Sequence, residues 1–456
     1  MSTTDYSRRR FLQTTGAALG GSMLVNPAAA PAGEKNFRKD DRKMRAALVG
    51  TGVRGLSMYG RELVEDYGDY VELVGICDQN PGRLEFAEQH IRPPGPGFTD
   101  VEEMLRETEP EVLIVTTWDW THHDCIIAGL EHGADVICEK PLTIDEEKAQ
   151  AIRDAEQRTG RKVIVTFNYR YAPLRSKIKE LLMENVVGDL TTVDLLWNID
   201  HPHLQRYMMR WHGEMDKGGS LWVHKSTHHF DLLNWWLDSD PVSVHALSDL
   251  ERFGEKGPFR GNNCRDCPYT SECDYYWDIT EDEWLMNVYV NNEEYDGYIR
   301  DNCVFREEID TYDKHAALIK YANNVYVNYS LTGDTDHSGF WLAFNGTKGR
   351  MEIRESGWSP GRQYEEIVVK IRGQEPYTIA VPHQEGGHWG GDPILMNDLF
   401  VERDPDDPLK RIAGSRDGVM SISIGIAARK SAEENRTVEI SELTDIRPQA
   451  VRPEEE

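Results

Sequence analysis

The stretch Met44-Arg-Ala-Ala-Leu-Val49-Gly50-Thr-Gly52-Val-Arg-Gly55 decides how the chain is to be read. Six residues, mostly apolar, predict a short strand, and they run straight into a G-x-G-x-x-G loop. Helical spacing follows from Leu56 to Tyr67. The hexapeptide alone is weak; placed between a strand and a helix it has the context a dinucleotide loop requires. A second strand, Val71-Glu-Leu-Val-Gly-Ile-Cys-Asp78, ends in an acid 26 residues beyond Gly52. The glycines let the backbone approach a diphosphate, the helix N-terminus attracts its charge, and the acid suits ribose hydroxyls. Gly50, Gly52, Val53, Arg54, Gly55 and Asp78 are therefore the expected cofactor-binding set. Asp78 would repel a 2′-phosphate, which favours NAD over NADP, with Arg83 nearby as the group that softens the preference.

Outward from this unit the alternation continues. Glu111–Thr116 reads as a strand, Thr121–His132 as a helix, Ala134–Glu139 as a strand, Asp145–Thr159 as a helix and Lys162–Phe167 as a strand. Such alternation predicts an α/β fold, a doubly wound parallel sheet with ligands at the carboxyl ends of its strands. Thr116, Trp118, His122, Glu139, Lys140 and Asn168 all follow strand ends and should share one rim with the cofactor. Beyond it the pattern changes. Residues 190–198, 242–247, 324–331, 339–344, 350–353 and 366–371 read as strands punctuated by Gly, Asn or Pro. They predict a second, α+β domain with an open, mainly antiparallel sheet. Helices are expected at 230–237, 392–400 and 418–433. The expected organisation is a leader at 1–32, a linker at 33–43, a Rossmann domain at 44–168, a second domain at 169–433 and a tail at 434–456.

Glu139-Lys140-Pro141 after the fifth strand of a G-x-G-x-x-G domain resembles the signature of the Gfo/Idh/MocA oxidoreductases. The strings "GADVICEKPLTIDEEKAQAI" (133–152), "VTFNYRYAPL" (165–174) and "GGSLWVHKSTHHFDLLNWWL" (218–237) are similar to that family too. The resemblance runs from Arg45 to the C-terminal helices. It implies a second-domain sheet covering the nicotinamide and homo-oligomers formed through that sheet. It also gives the motif's lysine, Lys140, substrate binding and proton handling. The family pattern in the third string is a glycine pair, an Asp, then a His four residues on. Here those positions hold His224 and His228, so the usual Asp is a His.

Hydride transfer from a carbinol needs a group that takes the hydroxyl proton and donors that hold the developing oxyanion. Lys140 is the first candidate, because a buried ammonium can have its pKa lowered into a useful range. His228 stands where the family has its base, and an imidazole titrates near neutrality. His224 is expected one turn away on the same helix, assisting. Tyr169 and Arg170 after the sixth strand, Trp211 beside His212, Lys225, and His388 and Asp392 in the Gly-rich "GGHWGGD" are the expected substrate contacts. Aromatic and polar rims suit carbohydrates, whose rings have an apolar face.

Cys264-x-x-Cys267-x5-Cys273, with Cys303 further on, falls in an insertion spanning about 251–306. Structural zinc, an iron–sulfur cluster, a disulfide or unligated packed thiols are all compatible with that spacing. Cys77, Cys125 and Cys138 fall in Rossmann elements and read as core.

Ser7-Arg8-Arg9-Arg10-Phe11-Leu12, a mildly apolar stretch to Val25 and small residues at 30–32 resemble a twin-arginine export signal cut after Ala32. The expected partner is the twin-arginine machinery, and the expected location is outside the cytoplasm. With 51 Lys+Arg against 79 Asp+Glu the formal charge is −28, which argues against nucleic acid or an anionic membrane as partner. No apolar run reaches the roughly 20 residues of a membrane span. The whole reads as an exported NAD-dependent oxidoreductase acting on a sugar, polyol or glycoside. Its rivals are a redox-neutral glycoside hydrolase working by oxidation and elimination, and a sugar-binding protein without turnover.

Overall fold

The computed structural model describes residues 42–356, 363–402 and 406–453. The stretches read as an export signal with its cleavage site, and most of the expected linker, lie outside the described residues. Six strands form the first sheet: β1 (Met44–Val49), β2 (Val71–Cys77), β3 (Gly97–Phe98), β4 (Val112–Val115), β5 (Asp135–Cys138) and β6 (Val163–Val165). All pairings are parallel, in the order β3-β2-β1-β4-β5-β6. Helices cover both faces, so strands such as β4, Val-Leu-Ile-Val, are buried throughout. The chain reverses its direction of sheet growth between β1 and β4, which opens the crevice where dinucleotides bind in such sheets.

The helix expected after the glycine loop begins earlier, at Val53, and is not regular. Val53–Leu56 is α, Ser57–Glu62 is π and Leu63–Asp66 is α again. A Cβ on Gly60, within the π turn, would lie 2.5 Å from Ile91 Cδ1, so the wide turn sits at a close helix contact.

The second sheet comprises β7 (Leu190–Asp200), β8 (Pro241–Asp249), β9 (Lys314–Tyr321), β10 (Tyr326–Thr335), β11 (Gly339–Gly346), β12 (Gly349–Glu355), β13 (Tyr364–Ile371), β14 (Tyr377–Pro382) and β15 (Val438–Glu439). Their order is β14-β13-β12-β11-β7-β10-β9-β8-β15. Every pairing is antiparallel except β10 with β7. β9 alternates exposed and buried residues along its length, the period-two pattern of a sheet covered on one face. Helices Thr227–Leu237 and Ser415–Glu434 supply that cover, and the glycine at 425 lets the latter approach Trp222 (a Cβ there would meet the Trp222 carbonyl oxygen at 2.4 Å). Leu196, Leu247, Leu318 and Tyr326 are exposed on the sheet's strands.

One expectation fails here. The stretch read as a C-terminal tail is packed: Val438, Ile440 and Leu443 are buried, and Arg452 pairs with Asp240 and Asp417. Its apolar residues are too few and too scattered to read as an element, and β15 exists only because β8 offers an edge.

Candidate functional site

The glycine loop is built for close approach. Gly50 has φ +96°, and a Cβ on Gly55 would stand 2.0 Å from the Gly50 carbonyl oxygen. Thr116 Oγ1 ties the loop by donating to that carbonyl (2.6 Å). At the end of β2, Asp78 accepts from the Thr51 N–H (2.8 Å), the Thr51 hydroxyl (2.9 Å) and the Asn80 N–H (2.9 Å). Arg83 reaches Asp78 at 3.4 Å and also pairs with Asp296. Two carboxylates around the one arginine leave this corner hostile to a 2′-phosphate. Tight glycines, a helix opening at Val53 and an acid at the neighbouring strand end fit a dinucleotide such as NAD.

The insertion covers this corner. The Val53 N–H donates to Tyr289 Oη (3.1 Å), and Asn80 Nδ2 donates to the Asn292 carbonyl (2.9 Å). Trp284 packs edge-on against Phe86 and His90, with ring centroids 5.4 and 4.5 Å apart. No local pattern in the sequence points to Tyr289, Asn292 or Asp296, which lie more than 200 residues from their partners.

The Glu-Lys-Pro turn follows β5, with a cis peptide between Lys140 and Pro141. His122, expected at the cofactor, lies behind this turn instead. It is buried, and its ring nitrogens meet the carbonyls of Pro141 (2.8 Å) and Thr117 (3.2 Å). Glu139 accepts from Arg54 Nε (2.7 Å), and Arg54 also reaches both oxygens of Asp392 (3.1 and 3.2 Å). Asn168 Nδ2 (2.7 Å) and His388 Nδ1 (2.8 Å) complete the shell of Asp392. Burial opposes its ionisation, but the His388 hydrogen bond and the Arg54 charge hold Asp392 well below the usual carboxylate range. Asp392 is thus a knot joining the glycine-loop helix to the second half of the chain, rather than the free substrate contact expected.

Lys140 Nζ donates to the His224 carbonyl (3.2 Å). Burial lowers its pKa to about 8, helped by the like charges of Lys225 and Arg54 and opposed by Asp119 and Glu139. His224 does not share a helix face with His228. It ends the short helix Leu221–His224, while His228 belongs to Thr227–Leu237. The His224 side chain points to Asp119, with Nδ1 and Oδ2 2.6 Å apart. Burial raises Asp119 and lowers His224, driving both toward their neutral forms, while the Lys140 charge favours the Asp119 carboxylate. Asp119 has one sequence signal: it is the acid in Trp118-Asp-Trp-Thr121, directly after β4.

His228 stacks on Tyr169 (3.9 Å, 9°), and its Nδ1 has no hydrogen-bond partner among the described residues. The expectation of a base titrating near neutrality is corrected: burial, then Lys140 and Lys225, hold its pKa well below the ordinary value. Its ring is neutral across the physiological range.

Lys140, Tyr169, Lys225, His228, His388 and Trp389 meet around one pocket of about 940 Å³. His388 and Trp389 both have left-handed backbone (φ 50° and 57°), a strain of order 1 kcal/mol or more each held by the surrounding knot.

Two expected substrate residues lie elsewhere. Arg170 is 1% exposed, and its guanidinium is bound by Asp231 (2.9 Å at Nε) and Asp417 (3.2 Å) in the core. Trp211 has one face covered by His212, centroids 3.6 Å apart, and its edge set against Trp120.

Cys264, Cys267, Cys273 and Cys303 do line one small common space. Among the described residues no group of three or more His, Cys, Asp or Glu is arranged to hold a metal ion, and the cysteines are free thiols. Burial pushes Cys264 up to about 12. Cys303 Sγ accepts from the Phe305 N–H (3.4 Å) at the base of the insertion.

A parallel sheet with a glycine-loop crevice, adjoining a pocket of mixed aromatic and polar lining that holds a lysine of lowered pKa, defines a dinucleotide-binding oxidoreductase architecture. The chain belongs to the Gfo/Idh/MocA oxidoreductases. The family's NAD-binding Rossmann fold matches residues 44–167 and its C-terminal alpha/beta domain matches residues 179–440. The chain is 34% identical over 424 residues to "Putative oxidoreductase YteT" of Bacillus subtilis, covering 87% of this chain and 97% of that protein. It is 28% identical over 205 residues to inositol 2-dehydrogenase of Agrobacterium fabrum, covering 45% of this chain and 57% of that protein. Among solved structures, levoglucosan dehydrogenase in complex with NADH and levoglucosan superposes with a TM-score of 0.64 at 17% identity, covering 88% of this chain and all of that one.

Proposed function

We propose that this protein is an exported NAD-dependent oxidoreductase that oxidises a secondary carbinol of a sugar, polyol or glycoside. The observation that carries the reading is the Lys140 amine, lowered to about 8 and set in the pocket beside the glycine-loop crevice. Held against the glycine loop of Gly50, Gly52 and Gly55 with Asp78 at its ribose, NAD would supply the hydride acceptor.

In the oxidation direction neutral Lys140 takes the hydroxyl proton, and in the reverse direction its ammonium returns it. Asp119, through its charge, keeps the proton affinity of Lys140 from falling further. His224 holds the amine by its carbonyl and Asp119 by its ring. Neutral His228, which lines the pocket, orients the carbinol by a hydrogen bond from its ring. Tyr169, Trp389 and His388 offer the mixed aromatic and polar wall suited to a sugar ring. Inositol 2-dehydrogenase and levoglucosan dehydrogenase, named above, are consistent with a polyol or sugar substrate.

Export rests on Ser7-Arg8-Arg9-Arg10-Phe11-Leu12. An exported enzyme meets little free NAD, and the insertion's contacts through Tyr289, Asn292 and Asp296 support a cofactor taken up before export and then held. Self-association through the face carrying Leu196, Leu318 and Tyr326 belongs to the same reading.

The test is to denature the purified protein, identify the released nucleotide, then incubate holoenzyme with sugars and aryl glycosides. NAD and a keto-sugar are expected. Free sugar with no net NADH would replace the dehydrogenase by the oxidation–elimination hydrolase. An absence of nucleotide would end both.

A further inference from the structure

One buried charge in the pocket has no counterpart. Lys225 is 4% exposed, yet its Nζ makes one hydrogen bond, to Tyr169 Oη (3.2 Å). It otherwise lies over the rings of Tyr169 and Trp197, at 5.6 and 5.8 Å. Among the described residues no carboxylate pairs with it.

The other charges around the pocket are matched. Arg175 is held by Glu355 through two hydrogen bonds, one of 2.9 Å, with both side chains buried. Glu365 meets His383 at 3.0 Å. Arg54 has Glu139 and Asp392, and Lys140 has the nearby charge of Asp119. Glu385, at the rim, is exposed to solvent. The excess positive field registers on neighbouring imidazoles. His203 is lowered to about 2 by burial and then by Lys225, and His229 falls well below its ordinary value for the same two causes.

A buried ammonium without a partner is unfavourable, and such groups persist where something else supplies the opposite charge. A nicotinamide ring would not supply it, because an oxidised nicotinamide is itself cationic. We infer that Lys225 receives a carboxylate carried by the substrate, making this a site for an acidic sugar such as a uronic acid. Two donors converge for its two oxygens. One is the Lys225 ammonium; the other is the Tyr169 hydroxyl, which accepts from Lys225 and so keeps its own proton to give.

This rests on the oxidoreductase reading but is tested separately from it. NAD-loaded protein is titrated with matched probes: D-glucuronate against D-glucose, D-galacturonate against D-galactose, and glucose 6-phosphate. Binding is followed by calorimetry. At least one uronate is expected to bind about 10- to 100-fold tighter than its neutral partner, the range of a charge-assisted hydrogen bond. Lys225→Met should erase that preference and Lys225→Arg should keep most of it, each with an unchanged nucleotide content on denaturation. Equal binding of neutral and acidic partners, no binding of any uronate, or a preference that survives Lys225→Met would overturn the inference. Tighter binding of the phosphate would replace the carboxylate with a phosphosugar. A protein that holds NAD and oxidises neutral sugars best would lose this inference and keep the oxidoreductase reading; one without NAD would lose the latter.

Discussion

Replacing Lys140 with methionine should abolish turnover and, at neutral pH, make the protein more stable. The displacement of the lysine from 10.5 to about 8 means that its charged form is disfavoured in the folded chain. At 1.36 kcal/mol per pH unit this is at most ~3 kcal/mol. One side of Lys140 lines the pocket, where water screens it, so roughly 1–3 kcal/mol is expected. The sign follows from linkage. Below pH 8 folded and unfolded chains both hold the proton, and the folded form carries the full penalty. Between 8 and 10.5 the folded chain releases its proton first, and the penalty fades. Wild type should therefore gain on the variant as pH rises through that window, by about 1–3 °C in Tm given an unfolding entropy of roughly 0.9 kcal/mol/K for a chain of this length. Differential scanning calorimetry of both proteins from pH 7 to 10.5 measures it. Two Tm curves that stay parallel across the window would show that Lys140 is not a strained, titrating amine, and its assignment as proton acceptor would fall with that result.

Asp119→Asn removes the charge that opposes the lowering of Lys140, so the acid limb of kcat/KM, expected near pH 8 for sugar oxidation, should move down by ~1–3 units; a limb that stays put would sever Asp119 from Lys140. Gly55→Ala places a Cβ 2.0 Å from the Gly50 carbonyl, and the purified variant should carry no nucleotide, as read by absorbance after denaturation. Tyr289→Ala uncaps the Val53 N–H and should raise the rate at which bound NAD exchanges with a labelled pool, with little change in Tm. Arg170→Ala strands Asp231 in the core, while Asp417 keeps Arg452, and should cost about 3–5 kcal/mol in chemical denaturation, whereas a substrate contact would instead alter KM and leave stability alone.

The parallel sheet, the glycine-loop crevice and the rim on which Lys140, Glu139 and Asn168 stand were legible in the order of residues alone. Those features are local. A strand buried on both faces must be continuously apolar, a close backbone approach requires glycine, and a cofactor rim falls at strand ends whatever the rest of the chain does. The antiparallel sheet was legible for the same reason, although the parallel pairing of β10 with β7 and the packing of residues 438–443 depend on which edge is left open.

What each polar residue is for emerged with the folded arrangement. Arg170 and Tyr169 are neighbours in sequence, yet one is locked into a core ion pair and the other faces the pocket. His224 looked like a partner of His228 and is a partner of Asp119, 105 positions away. Asp392 joins Arg54 across 338 positions, and Tyr289 reaches Val53 across 236. A residue type states which charge or hydrogen bond is available, but burial and the nearest charges set whether it ionises and what it binds. Those depend on distances that the chain acquires only when its two sheets pack.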